Sequence, residues 1–346
     1  MKTKKLYLIG LTAFVVVIMA VVAVCCFYPI NRTGKTEYLY VDSDDDIDSV
    51  ATKMSTVCNG CGVSTVRTLA RHTGYADNVR TGRYKIDTST GALMFFRKLK
   101  NGQQDPVKLV VPSVRTKERL AEELSSKLML SKQDLLSYLN NNDSCSALGL
   151  DTATIITLFI PNTYEVYWNL PVKKLLSKMQ DEKTRFWNKE RMAKAESLKL
   201  NPEEVMTLAS IIDEETANDG EKPMVAGMYY NRLCQHMPLQ ADPTIKFALG
   251  DFAIKRIYNN MLRVKSPYNT YVNEGLPPGP IRIPSVAGID AVLNLVHHDF
   301  LYMCAKEDFS GTHNFARTYP EHLLNAARYS QALNQRNIGK YGSEGE

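Results

Sequence analysis

The chain begins with an apolar run that has no period. From Leu6 to Tyr28 no charged residue occurs, and Val15 to Val24 is almost wholly aliphatic. Such a run of 23 residues, at about 1.5 Å of helical rise each, covers a hydrocarbon core of roughly 30 Å. It predicts a transmembrane helix over 6–28. Lys2, Lys4 and Lys5 ahead of it predict a cytoplasmic tail over 1–5 and export of everything that follows. The alternative is a cleaved signal peptide ending at Val21-Val22-Ala23, for which the apolar run is long. Asn31 to Lys35 reads as a short polar linker.

Beyond the linker the pattern switches between a period of two and a period of 3.6. Glu37 to Val41 reads as a strand, and the acidic turn Asp42 to Asp48 leads to a helix near Val50 to Met54. Val107 to Val111 is a second strand, closed by Pro112, and a helix with Leu120, Leu124 and Leu128 at i, i+4 follows. Ser131 with Asp134 opens another helix to Leu139. This alternation predicts a small α/β unit over 31–145 that positions a polymer. Asn142 to Ser146 reads as a polar break and Ile155 to Pro161 as an apolar run. Lys178 to Lys199 reads as one charge-rich helix with a solvated face.

Asn201-Pro202-Glu203-Glu204 is a strong helix start: an Asn cap, Pro at the first helical position and Glu three residues after the cap. Val205, Leu208, Ala209 and Ile212 share one face of that helix, which ends in three acids. At about 100° per residue, Glu214 points away from the apolar face, Asp213 lies to one side, and Glu215 sits roughly 70° from its centre. A carboxyl beside apolar surface at the negative end of a helix has its pKa raised, as a general acid working near neutrality requires. The structural alternative is a helix-end acid paired with a basic neighbour such as Arg232.

Composition narrows the reading. A length of 346 residues suits an anchor plus two folded units, and 44% hydrophobic with 23% charged residues is globular. A net charge of +5 is too small and too dispersed for nucleic-acid binding. Cys58-Asn59-Gly60-Cys61 is a CxxC with no second pair and no His cluster to complete a metal site. It leaves a local disulfide or idle thiols, with redox catalysis a weaker alternative. No metal or cofactor is expected.

Downstream of the three acids, several segments combine amides, hydroxyls and aromatics on turn-prone backbone, a chemistry suited to sugars. They are Tyr230-Asn231-Arg232-Leu233, Leu239-Gln240-Ala241-Asp242-Pro243-Thr244, Tyr268-Asn269-Thr270-Tyr271 and Gly275-Leu276-Pro277-Pro278-Gly279-Pro280-Ile281. Taken singly, the Pro-Pro-Gly turn reads as a rigid loop, and Asp242-Pro243 as the cap of a helix from Thr244 to Leu249. Together with Leu208 to Thr216, Ile160 to Glu165 and His313-Asn314-Phe315, these motifs resemble the endolytic murein transglycosylase family, YceG-like in type. The resemblance is specific from about Leu158 to the C-terminus and looser before it. Two positions depart from the family pattern, which often has Glu at position 213 and Thr at 241. The Cys58 to Cys61 region has no counterpart in it.

The resemblance implies an α+β fold: an N-terminal transmembrane helix, a small LysM-like α/β subdomain over 31–145 and a mixed α/β catalytic domain over 150–340. It implies a lyase of the cytoplasmic (inner) membrane, single-pass, with its catalytic domain on the periplasmic or outer face. Such an enzyme cuts MurNAc–GlcNAc bonds of peptidoglycan glycan strands to 1,6-anhydroMurNAc ends and terminates strand elongation beside cell-wall synthases. The family's catalytic Glu falls on Glu215. Gln240, Asp242, Thr244, Tyr268, Asn269, Asn231 and His313 are assigned to substrate, His313 as a hydrogen-bonding residue rather than a catalyst. Three other readings remain open. They are a glycoside hydrolase using Glu215 and Asp242, a non-catalytic peptidoglycan-binding scaffold, and a pyridoxal-phosphate lyase, against which stands the lack of a Gly-rich phosphate loop.

Overall fold

The computed structural model describes residues 2–336, with side chains from Lys5 onward. Met1 of the expected tail and residues 337–340 of the expected catalytic domain lie outside the described residues. The architecture is mixed α and β. It divides into two compact units: Met1–Leu109 with Ser125–Leu130 and Tyr164–Pro171, and Val110–Leu124 with Ser131–Thr163 and Val172–Glu346.

The first unit opens with helix α1 (Lys2–Phe27), of which Lys5–Phe27 is long and apolar enough to cross a membrane. Strand β1 (Glu37–Val41), helices α2 (Ile47–Ser55) and α3 (Gly60–His72), strand β2 (Gly82–Ile86) and helix α4 (Ala92–Asn101) follow. β1 and β2 pair antiparallel, with Leu39 opposite Tyr84. Their inward residues meet Val50, Met54, Val66, Phe95 and Leu99 in one core. The alternation in β1 and the acidic N-cap Asp46 of α2 make this half legible in the sequence. Helices α3 and α4 and strand β2 carry no pattern as clear. The Asn59 side chain caps α3 through Gly62, so the CxxC straddles a helix start. Asn31, expected in a linker, is tied into the fold, since its amide donates to the carbonyl of Ile86.

Strands β3 (Val107–Val111) and β4 (Asn162–Val166) pair with each other. Between them lie α5 (Lys117–Ser125), α6 (Lys132–Leu139), α7 (Asn142–Ser146) and a 3-10 turn over Ile155–Leu158. The polar break expected at Asn142 to Ser146 is thus a short helix, because Asn141 caps it through the amide of Ser144. The single helix expected over 178–199 is two, α8 (Val172–Phe186) and α9 (Lys189–Ser197). Asn188 breaks the run by capping α9, and Lys183 is buried against Glu203 and Thr157 rather than solvated.

The second unit is built around α10 (Pro202–Glu215). Asn201 and Glu204 form a reciprocal capping box with Pro202 in the first turn, worth about 1 kcal/mol. Every residue from Val205 to Ile212 is buried. The helix is therefore enclosed all round by α9, α11 (Lys222–Cys234), α12 (Asp242–Leu249) and α13 (Val286–Leu293), not amphipathic with one apolar face. The antiparallel pair β5 (Tyr302–Ala305) and β6 (His313–Ala316) and helix α14 (Tyr319–Gln335) complete the unit.

Candidate active site

The three acids that end α10 have three different fates. Asp213 is nearly inaccessible, 2.7 Å from the ammonium of Lys222, and accepts from the backbone and hydroxyl of Ser285. Glu214 is held by Arg115 in a bidentate pair and by Arg282 at 3.0 Å. Among the described residues Glu215 forms no ion pair; its carboxylate accepts a hydrogen bond of 2.7 Å from the hydroxyl of Tyr229 on α11. The ion pairing that chain proximity suggests for Glu215 is realised by Glu214 instead. Arg232 donates to the carbonyls of Leu301, Pro238 and Leu239 and to the side chain of Gln240.

Glu215 lines a cavity of about 310 Å³. Half-buried at the cavity wall, its carboxyl is partly desolvated, which raises its pKa from the ordinary 4.5 to about 7; the Tyr229 hydroxyl opposes the rise and the Asp242 charge adds to it. His313 and Lys246 pull the other way. Burial and the charge of Glu215 push the Tyr229 hydroxyl far above its ordinary value, so it stays a donor. The result is a carboxyl that holds and releases a proton near neutrality.

Of the residues assigned to substrate, Gln240 and Asp242 do face this cavity. Gln240 has φ of 52°, uncommon for a residue with a Cβ, and its backbone donates to the carbonyl of Thr270. Asp242 accepts a 2.5 Å bond from the hydroxyl of Tyr271, which lines the cavity too. The structure places the other assigned residues away from this cavity. Thr244 is fully buried, its hydroxyl bonded to Ala241 and Thr270. Asn269 is fully buried as well, and its amide bonds the carbonyls of Leu262 and Val264. Asn231 donates to the carbonyls of His298 and Phe300. These side chains tie loops together through the bonds just described. Tyr268 packs on Phe247 and opens onto a different cavity.

The Pro-Pro-Gly run is a packing motif, because a Cβ at Gly279 would sit 2.3 Å from the carbonyl oxygen of Ala153. His313 supports rather than lines the site. Its ring and backbone both bond the carboxylate of Glu221, which also accepts from the hydroxyl of Thr216 beside Glu215.

Sequence reasoning missed Tyr229, Tyr302, Tyr319 and His322, all on the cavity wall. His322 stacks on Tyr302 and Tyr319 with ring centroids 5.6 and 6.0 Å apart. Burial and the nearby Arg232 charge lower its pKa, so the ring is neutral at pH 7. The one available signal was the cluster of ring residues around the His-Asn-Phe motif, which says nothing about facing Glu215 across the fold.

Residues 39–328 match the model of the YceG-like family. An endolytic murein transglycosylase of Bacillus subtilis (strain 168) is 36% identical over 138 residues, covering 40% of this chain and 38% of that protein. One from Streptococcus pneumoniae (strain R6) is 26% identical over 298 residues, covering 75% of this chain and 52% of that one. This chain therefore spans about half or less of the length of these curated relatives. A crystal structure of a yceG-like protein from Listeria monocytogenes superposes with a TM-score of 0.55 at 25% identity, covering 84% of this chain and 98% of that one.

Proposed function

This chain belongs to the YceG-like family, and from that premise we propose that it is an endolytic lytic transglycosylase cutting peptidoglycan glycan strands. The observation that carries the proposal is Glu215: a carboxyl with no ion-pair partner among the described residues, at the wall of a cavity, titrating near neutrality. The muramic acid's own 6-hydroxyl attacks its anomeric carbon, and no water enters. One carboxyl then suffices, because Glu215 first protonates the leaving glycosidic oxygen and its carboxylate next takes the proton of the 6-hydroxyl. A hydrolase normally manages water or a nucleophile with a second carboxylate. A well-oriented internal hydroxyl has an effective concentration of about 10⁵ M or more, which lessens that need. Gln240 and Asp242 orient the sugars, and the rings of Tyr302, Tyr319 and His322 offer flat faces for stacking.

The proposal extends to the rest of the chain. Helix α1 anchors the protein in the cytoplasmic membrane with its N-terminus inside, and the chain acts outside it beside cell-wall synthases. Within 31–145, the β1–α2–α3–β2 arrangement supports a LysM-like module that holds the strand, and 150–340 carries the catalysis.

The test is to incubate the full-length protein in detergent with nascent glycan strands and analyse the products by mass spectrometry. Anhydromuramic ends are expected. Reducing ends would replace the reading with a hydrolase, and strands bound but uncut would replace it with a scaffold.

Tyr229→Phe tests the setting of the carboxyl. The Tyr229 hydroxyl stabilises the charged form of Glu215, so removing it lets the pKa climb above about 7. A hydrogen bond to a charged group contributes about 1.5 kcal/mol or more, equivalent to about one pH unit. The pH–rate profile of kcat is expected to move to the alkaline side by about that much. An unmoved profile would remove Tyr229 from the machinery.

A further inference from the structure

We propose that Cys25 and Cys61 form a disulfide that staples the outer end of α1 to α3. The two Sγ atoms lie 3.0 Å apart although the residues are 36 positions distant in sequence. A disulfide needs about 2.05 Å, so the two Sγ atoms stand about 1 Å beyond bonding distance. The juxtaposition is imposed by framework on both sides. After α1 the backbone of Ile30 donates to Thr90, and the backbone of Asn59 donates back to Ile30 at 2.8 Å. The Asn59 side chain donates to the carbonyl of Pro29 at 2.9 Å. A Cβ at Gly62 would sit 2.4 Å from the Ile30 side chain, and one at Gly91 2.9 Å from the Phe27 carbonyl. The end of α1 is therefore docked on α3 and α4 without room to slide.

This pairing accounts for the CxxC that the proposed catalysis leaves unused. Cys58 is 1% exposed and belongs to the core of the first unit, where burial pushes its thiol up to about 11. Cys61 stands on the other side of the N-cap Asn59, in the first turn of α3, and is exposed. The two cysteines of the motif thus diverge, and Cys61 turns to Cys25 instead.

The inference rests on the reading that everything after α1 lies outside the cytoplasm, where a thiol-oxidising envelope protein carrying a reactive disulfide is the co-reactant. The thiolate of exposed Cys61 attacks that disulfide, and one oxidant sulfur leaves as a thiol. Cys25 then attacks the Cys61 sulfur of the mixed disulfide and forms the Cys25–Cys61 bond. The second oxidant sulfur is released as a thiol, so two thiols are oxidised here as one disulfide is reduced there.

The experiment isolates the full-length protein from membranes with free thiols blocked at lysis, then maps cross-linked peptides without reduction. The segment holding Cys25 is expected to be joined to the segment holding Cys61. The link is expected to survive Cys26→Ser and Cys58→Ser and to be lost in Cys25→Ser and Cys61→Ser. A membrane-impermeant maleimide on intact cells reports the compartment through exposed Cys234. Labelled Cys234 with a reduced Cys25–Cys61 pair overturns the staple and leaves the localisation standing. With Cys234 unlabelled, oxidised glutathione added to the purified full-length protein decides. A link formed there that needs Cys25 and Cys61 upholds the geometry, and a link through Cys58, or no link, overturns it.

Discussion

Replacing Glu215 by Gln is expected to abolish strand cleavage and, at the same time, to make the folded protein more stable above neutral pH. The first effect follows from the proposed mechanism, in which a single carboxyl serves both proton transfers. General acid–base help is worth about 10²- to 10⁴-fold, and with no second group to take over, the loss should reach the upper end of that range. Glu214→Gln is expected to leave kcat nearly unchanged, because Glu214 points into Arg115 and Arg282 and not into the cavity. A cleavage assay on both variants decides, and the reverse ranking would remove Glu215 from the role.

The second effect separates the titration from the chemistry. In the unfolded chain the Glu215 carboxyl releases its proton at the ordinary 4.5, whereas in the fold it holds it to about 7. Between those values the folded state binds the extra proton, so the contribution of Glu215 to stability is fully present below pH 4.5 and declines as pH rises. It is lost by the time pH passes 7. The shift corresponds to at most about 3 kcal/mol, less whatever the open cavity screens. Thermal melts of wild type and Glu215→Gln should therefore nearly coincide at pH 4 and separate by several degrees at pH 8, with the variant the more stable. Coincident melts at both pH values would show a carboxyl that titrates normally.

What could be seen in the sequence depended on whether the deciding interactions were local. The cap of α10 was legible because Asn201, Pro202 and Glu204 act within one turn. Glu215 was legible as the distinct acid, though for an incomplete reason. α10 has no single apolar face, and what sets Glu215 apart is that its two neighbours pair with cations whereas it accepts from the Tyr229 hydroxyl. Those partners are remote, with Arg115 99 positions and Arg282 68 positions from Glu214. The same distance hid the roles of Thr244, Asn269 and Asn231, whose polar side chains look like ligand groups until the loops they close are visible. Tyr302, Tyr319 and His322 share a cavity with Glu215 only through the tertiary fold, which also sets the Arg232 guanidinium of α11 over the Tyr302 ring, and no local pattern encodes that.

Breaking the Asp213–Lys222 pair is expected to produce the largest loss of stability in the second unit. The side chains of both residues are almost fully buried, at 3% and 6% exposure. Lys222→Met leaves the Asp213 carboxylate with only the Ser285 backbone and hydroxyl for partners. Removing one member of a buried pair costs about 3–5 kcal/mol, since the remaining charge stays in the protein unpaired. The pair also joins the end of α10 to the starts of α11 and α13, so Glu215, two residues on, should lose position as the helices loosen. Activity is then expected to fall with stability while the pH–rate optimum stays put, in contrast to Tyr229→Phe. Asp213→Glu should be damaging too, because a Cβ at Gly288 would already stand 2.6 Å from the Asp213 carboxylate, leaving no room for a further methylene. Chemical denaturation of Lys222→Met, Asp213→Asn and the double variant closes the argument. If the pair is coupled, the double variant loses less than the two single losses added together. Simple additivity would show that the two side chains act independently and that something other than this bond holds the end of α10 in place.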